Sequence, residues 1–312
     1  MKTTGKKQMT RKEFLKKTST AVIGLGLMGK SSGMLIANKY SKVPETSNLR
    51  TLGRTGIKVT PVGFGASRTM EPALVRYALD KGMTFLDTGR SYSRGKNEYM
   101  LGEVIKGFRK DIVIQSKISL NMRSVGQDLS TQEAHRRITE MMNDSMEESL
   151  KALQTDYIDI MLFHGASTTE IINHEAVIKY FEAAKKSGKI RACGFSSHTN
   201  HVELLRDANK SLFYEVVMVP YNHKGSFIHM NSGRFDEWDQ PALEVEIKRA
   251  RENDIAVMAM KSCSAGAYSP DKDTPASFEH ALRWVLKNPA ISSAPAAMGN
   301  FEQVDEDVKA ME

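Results

Sequence analysis

Residues 85–102 read FLDTGRSYSRGKNEYMLG, which divides into a strand, a polar turn and a helix. Phe85-Leu86 closes a short apolar run of the kind that forms a buried strand. Asp87 stands at the C-terminal end of that strand. A glycine-containing loop carries Tyr92, and a helix begins near Asn97 with Glu98 in its first turn, where a carboxylate suits the positive end of the helix dipole. A carboxylate at a strand end and a phenol five residues later can face one pocket. The plainer alternative is that Asp87 caps a loop and Tyr92 is a half-exposed aromatic, so the rest of the chain has to decide.

The same strand-then-helix step recurs on both sides of this stretch. RTLGRTGIKVT (50–60) places turn residues between short alternating runs and predicts a β-hairpin. Strands follow at 62–65, 84–87, 112–117, 157–164, 190–196, 215–219, 255–260 and 291–296. Helices follow at 71–81, 98–106, 131–153, 174–186, 201–208, 241–253, 277–287 and 301–310. Gly82, Gly107 and Gly188 sit where helix ends want glycine. Ser130 is the expected N-cap of the long helix, and Pro241 suits a first helical turn. Residues 222–240 read as a long loop. Alternation of this kind implies parallel strands joined by right-handed crossovers. Eight units in about 260 residues is the size of a (β/α)8 TIM barrel, here with an N-terminal β-hairpin. A doubly wound open sheet is the alternative. It would want a full glycine fingerprint after the first strand, and Gly63-Phe64-Gly65-Ala66-Ser67-Arg68 has only its G-x-G start.

The chain of 312 residues carries a formal net charge of +7, and the excess is local. Residues 1–50 hold eleven Lys and Arg against two acidic residues, while the remainder holds 33 against 35. The folded part is therefore not expected to bind nucleic acid. Lys2, Lys6, Lys7, Arg11, Lys12, Lys16 and Lys17 precede an apolar, Gly- and Thr-rich stretch at 18–29, too short to span a bilayer comfortably. Residues 1–40 thus have the layout of an export leader. Thr10-Arg11-Lys12-Glu13-Phe14-Leu15-Lys16 resembles the twin-arginine motif, with Lys12 for its second arginine. The expectation is an exported, periplasmic protein that meets the export machinery and has no stable membrane span, although the leader could tether it. Residues 41–49 read as a linker and 50–312 as the barrel. Cys193 and Cys263 lie in apolar segments and are expected to be buried free thiols. Two cysteines without nearby Cys/His spacing argue against a zinc or iron–sulfur site.

Chemistry in such a barrel gathers at the C-terminal ends of the strands. These ends offer Asp87 with Tyr92 beyond it, Lys117, His164, Ser196-Ser197, Tyr221-Asn222 and Lys261-Ser262. Lys117 closes the apolar run IVIQSK. A buried lysine needs a partner, and Asp87 on the adjacent strand is the obvious one. A nearby ammonium favours phenolate and is expected to lower the pKa of Tyr92, making it a general acid near neutral pH. His164 could polarise the same substrate oxygen. A plain Asp–Lys ion pair with Tyr and His packed around it is the competing reading. Arg68 and Arg90 follow the first two strands and read either as anion contacts or as rim ion pairs. Trp238, in the long loop, is a candidate cover for the mouth. His198, His201, His223 and His229 lack the spacing of a metal site, so none is expected.

The order Asp87, Tyr92, Lys117, His164 resembles the catalytic tetrad of the aldo-keto reductases. So do the surrounding segments LGRTGIKVTPVGFG, FLDTGRSYS-KNEYMLG, IVIQSK, DYIDIMLFH, SGKIRACGFSSH and ALRWVL, over about residues 50–310. The resemblance implies hydride transfer between a nicotinamide cofactor, NAD or NADP, and a small-molecule carbonyl. Tyr92 would be the acid, Lys117 its modulator, Asp87 the anchor of Lys117, and His164 the group that orients the carbonyl. It further implies cofactor contacts from Ser196, Ser197, Tyr221 (as the stacking face), Lys261, Ser262, Gln303 and Glu306. Ser197, Met218, Ala297, Gly299 and Asp307 depart from the family pattern, Gly299 standing where an arginine for the 2′-phosphate often lies. A cofactor-binding sensor or regulatory module on the same barrel is the second functional reading. A metal-dependent sugar isomerase is the third.

Overall fold

The computed structural model describes residues 48–228 and 233–312. The leader and nearly all of the linker expected at 1–49 lie outside the described residues, as does His229. A two-stranded hairpin, β1 (Arg50–Thr51) and β2 (Lys58–Val59), comes first. Then follow β3 (Val62–Gly65), α1 (Pro72–Asp80), β4 (Phe85–Asp87), α2 (Lys96–Ile105), β5 (Val113–Ile118), the one-turn α3 (Met122–Val125) and α4 (Gln132–Leu153). Next come β6 (Ile158–His164), the one-turn α5 (Thr169–Ile172), α6 (Glu175–Lys186), β7 (Ile190–Ser196), α7 (His201–Ser211) and β8 (Val216–Pro220). A second hairpin, β9 (Ser226–Ile228) and β10 (Phe235–Glu237), precedes α8 (Gln240–Glu252), β11 (Ala256–Met260), α9 (Phe278–Lys287), β12 (Ile291–Ala297) and α10 (Phe301–Lys309).

Eight of these strands close a parallel barrel in the order β11-β12-β3-β4-β5-β6-β7-β8. The open-sheet alternative is thereby excluded. Strand residues alternate between two cores, as period-2 side-chain direction requires. Phe85, Ile160, Leu162, Ala192, Val216, Met218, Ala256 and Met258 fill the interior. Leu86, Ile114, Met161, Phe195, Val217, Val219 and Val257 face the ring of helices.

The first hairpin closes the N-terminal end of the barrel. Leu52, Ile57 and Val59 belong to the interior cluster and are at most 1 % exposed. Burying each such side chain is worth about 1.5–3 kcal/mol. Two two-residue strands are marginal on their own, so packing rather than the ladder holds this hairpin. Arg54 fastens it: its guanidinium donates to the Leu212 and Tyr214 carbonyls at 2.7 and 2.8 Å, and its amide donates to the Asp254 carbonyl at 2.9 Å. Gly53 makes this approach feasible. It sits at φ +44, and a Cβ there would fall 2.2 Å from the Asp254 oxygen.

Two local expectations are corrected. The N-cap of α4 is Thr131, whose hydroxyl accepts from the Ala134 amide at 3.1 Å. Ser130 instead turns back to Asp128, donating to that carboxylate at 2.6 Å. The segment 222–240, read as a loop, contains the β9–β10 hairpin.

Candidate active site at the barrel mouth

Strand register brings the predicted tetrad to one end of the barrel. Asp87 pairs with Gln115 across β4–β5, Lys117 with Leu162 across β5–β6, and His164 with Ser196 across β6–β7. Beyond β4 the pairing continues: the Arg90 amide donates to the Lys117 carbonyl at 3.1 Å, and the Tyr92 amide donates to the Gly89 carbonyl at 2.9 Å. This turn lays the phenol over the lysine. Ser93 and Arg94 then take left-handed φ values of 50° and 55°, a conformation non-glycine residues keep only where surroundings impose it.

The Lys117 ammonium donates to Asp87, to the Thr88 carbonyl at 2.7 Å and to the Tyr92 hydroxyl at 3.1 Å. Lys117 is 2 % exposed and Asp87 4 %, so neither charge is stabilised by bulk water and each depends on the other. Burial works to lower the Lys117 pKa. Asp87 and the Tyr92 hydroxyl outweigh it, and the net direction is upward. Lys117 is thus a fixed cation.

The pKa of Tyr92 departs from the sequence reading. Burial raises it, the Lys117 charge lowers it, and burial prevails, leaving the phenol above its ordinary value. The lysine acts with the expected sign but not the expected net result. A raised phenol remains fully protonated at neutral pH, which is the state an acid needs before it donates.

The His164 ring lies edge-on to Tyr92, with centroids 6.0 Å apart. Burial, then Lys117, then His198 depress its pKa to about 3, so it is a neutral imidazole. Its Nδ1 lies 3.0 Å from the Ser119 hydroxyl and 3.3 Å from that of Ser91. A hydroxyl that donates to Nδ1 would leave the ring proton on Nε2, and either tautomer fits these distances.

Several supporting contacts were not read from the sequence. Gln115 donates to Asp87 at 2.6 Å and places the same Nε2 3.6 Å from the Met218 sulfur. Asn97, fully buried, accepts from the Thr88 hydroxyl at 2.6 Å and donates to the Ala66 and Thr69 carbonyls at 2.9 Å. Glu98 accepts from the Ser116 hydroxyl at 2.6 Å and pairs with Arg90, which also reaches Glu148 at 3.1 Å. Arg90 therefore belongs to the ion pairs of the rim. A polar residue inside an otherwise apolar strand, as Gln115 is in IVIQSK, is the signal that could have found it.

The predicted cofactor residues divide. Ser196, Ser197 and Ser262 are buried at strand ends. The Ser197 hydroxyl is occupied by its own turn, donating to the Thr199 carbonyl and accepting from the Thr199 amide. Gln303 accepts from the Gly299 amide at 2.7 Å, and Glu306 accepts from the Phe278 amide at 2.7 Å, so both act as caps. Tyr221 is not a stacking face. Its ring packs against Trp284 on α9 at 5.2 Å, and its hydroxyl binds Glu244 and Asn288 at 3.0 and 3.1 Å. The side chain lies outside the strands, among the helices. Trp238 packs on His201 at 5.4 Å and on Phe227 at 6.2 Å. Cys193 and Cys263 are free thiols, the first buried and the second partly so. Among the described residues no group of three or more His, Cys, Asp or Glu is placed to hold a metal ion, and no helix is long and apolar enough to cross a membrane.

Comparison with known proteins agrees with this geometry. Residues 65–311 match the model of the aldo/keto reductase family. An uncharacterized oxidoreductase of Bacillus subtilis, YqkF, is 24 % identical over 281 residues, covering 84 % of this chain and 90 % of the relative. The L-galactose dehydrogenase of Arabidopsis thaliana is 34 % identical over 164 residues, 47 % of this chain and 48 % of its own length. Among solved structures, aldo-keto reductase AKR11C1 from Bacillus halodurans superposes with a TM-score of 0.65 at 23 % identity, covering 85 % of this chain and 91 % of that one. An aldo/keto reductase from Klebsiella pneumoniae in complex with NADP and acetate gives 0.61 at 20 % identity, with 84 % and 89 % covered. The chain belongs to the aldo/keto reductase family and is an NAD(P)-dependent oxidoreductase.

Proposed function

We propose that this enzyme reduces an aldehyde, ketone or sugar carbonyl, with Tyr92 as the general acid. The observation that carries the reading is the Asp87–Lys117–Tyr92 chain of contacts beside a neutral His164. A nicotinamide cofactor, when bound, would supply the hydride. The chain's own residues do the rest. Tyr92, held protonated by burial, donates its proton to the developing alkoxide. Lys117, 3.1 Å from the Tyr92 hydroxyl oxygen, stabilises the phenolate left behind. Asp87, with Gln115 and Lys117 as donors, keeps the ammonium in place. The Nε2–H of His164 donates to the carbonyl oxygen and orients it.

The mouth fits the cofactor in one clear respect: Lys261 is a half-buried cation facing no carboxylate among the described residues, which suits a phosphate. Ser196, Lys261 and Ser262 are the residues we assign to holding it. Tyr92→Phe removes the acid and little else. It is expected to abolish turnover of generic aldehydes while leaving NADPH or NADH binding, read by nicotinamide fluorescence, within about twofold. Wild-type turnover in that variant would remove Tyr92 from the mechanism. Cofactor binding by the wild type without turnover of any carbonyl would favour the sensor reading.

A further inference from the structure

The left-handed region of backbone space suits glycine, and residues with side chains enter it singly. Ser93, Arg94 and Gly95 lie there in succession, at φ 50, 55 and 82°. The run begins directly after Tyr92. Such a conformation persists only where contacts outside the turn impose it, and Arg90 makes those contacts.

The Arg90 guanidinium pairs with the Glu98 carboxylate and, through Nε, with Glu148 at 3.1 Å. Glu98 stands in the first turn of α2 and is fully buried. Its other oxygen accepts from the Ser116 hydroxyl at 2.6 Å, and Ser116 precedes Lys117 on β5. The Arg90 amide meanwhile donates to the Lys117 carbonyl at 3.1 Å. Arg90 therefore grips β5 twice, through its backbone at Lys117 and through Glu98 at Ser116. Tyr92 lies between the two grips along the chain. Gly95 gives the guanidinium its passage, because a Cβ there would fall inside it.

We infer that Arg90, through Glu98, is a positioning residue for Tyr92: their ion pair holds the strained turn that keeps the phenol over the Lys117 ammonium. The inference rests on the general-acid reading of Tyr92 above. An arginine engaged by two carboxylates is not available to an anionic substrate. Its guanidinium bonds neither the phenol nor the ammonium, so it acts through geometry alone. That geometry has little slack. The Tyr92 hydroxyl meets Lys117 at 3.1 Å, near the long end of the range for such a bond.

The test compares reduction of benzaldehyde and glyceraldehyde by the full-length wild type, Arg90→Gln, Arg90→Lys and the paired Arg90→Gln/Glu98→Gln variant. The pair is needed because Arg90→Gln alone leaves Glu98 as a lone buried charge. Rates are referred to cofactor-binding sites counted by nicotinamide fluorescence, so that unfolded protein does not enter them. In Arg90→Gln and in the paired variant, kcat per site should fall at least about tenfold, as expected of a displaced catalytic group, with KM and the cofactor dissociation constant within about twofold. The solvent deuterium isotope effect on kcat should rise, because proton donation from Tyr92 becomes slower. Arg90→Lys, which keeps a cation for Glu98, should recover much of the rate. A purely structural role would lower the number of sites and leave kcat per site unchanged, and that result overturns the inference. If Tyr92→Phe loses turnover while the Arg90 variants keep it, the inference falls and the general-acid reading stands. A wild type that binds cofactor and reduces no aldehyde overturns both.

Discussion

At the scale of single residues, His164 makes the sharpest claim. Its folded pKa of about 3 lies below the ordinary 6.5. Between those values the unfolded chain binds a proton that the folded chain does not, so stability is complete above about pH 6.5 and falls as pH drops toward 3. His201, depressed mainly by burial to about 4, contributes with the same sign. Thermal unfolding followed from pH 7 to pH 4 should show falling stability, with a shallower slope in His164→Gln. An unchanged slope would mean that His164 is not held neutral. The Asp87–Lys117 pair was legible because a lysine ending a buried strand demands a counter-charge. Gln115 was passed over, although a lone amide inside an apolar strand was a signal that could have marked it as the support of Asp87. Tyr221 was misjudged for a geometric reason that was available. Met218 faces the interior, and three residues along a strand is an odd step, so Tyr221 points the other way.

Helix boundaries were readable where their chemistry is local. Gly82, Gly107 and Gly188 all adopt positive φ at helix ends. His174 caps α6, with its ring nitrogen accepting from the Ala176 amide at 3.1 Å and the other nitrogen engaging the Leu129 carbonyl at 2.9 Å. The start of α4 was missed by one position because Ser130 and Thr131 are both good caps, and only the Asp128 turn decides between them. Thr131→Ala should therefore cost about 1 kcal/mol and Ser130→Ala clearly less. The midpoints of urea unfolding measure this, and equal midpoints for the two variants would reject the assignment. The β9–β10 hairpin escaped detection because its strands are three residues each and pair across a long connection. No alternation of useful length announces strands that short.

At the scale of the whole molecule, eight repetitions of one strand–helix step made the barrel legible. Period-2 alternation alone could not say which residues face inward, since both cores are apolar. The hairpin was legible as a hairpin, but its place was not: that it ends the interior cluster follows from contacts between residues far apart in the chain. Leu52, Ile57 and Val59 stopper one end of the tube, so that among the described residues the way in lies at the end that holds Lys117 and Tyr92. A room with one doorway empties in the reverse of the order in which it fills. If cofactor and carbonyl both seat there, the one beneath must arrive first and depart last. Product-inhibition kinetics should accordingly show a compulsory sequence, with one nicotinamide form competing only against the other. A random-order pattern would mean that the two ligands pass one another at the mouth.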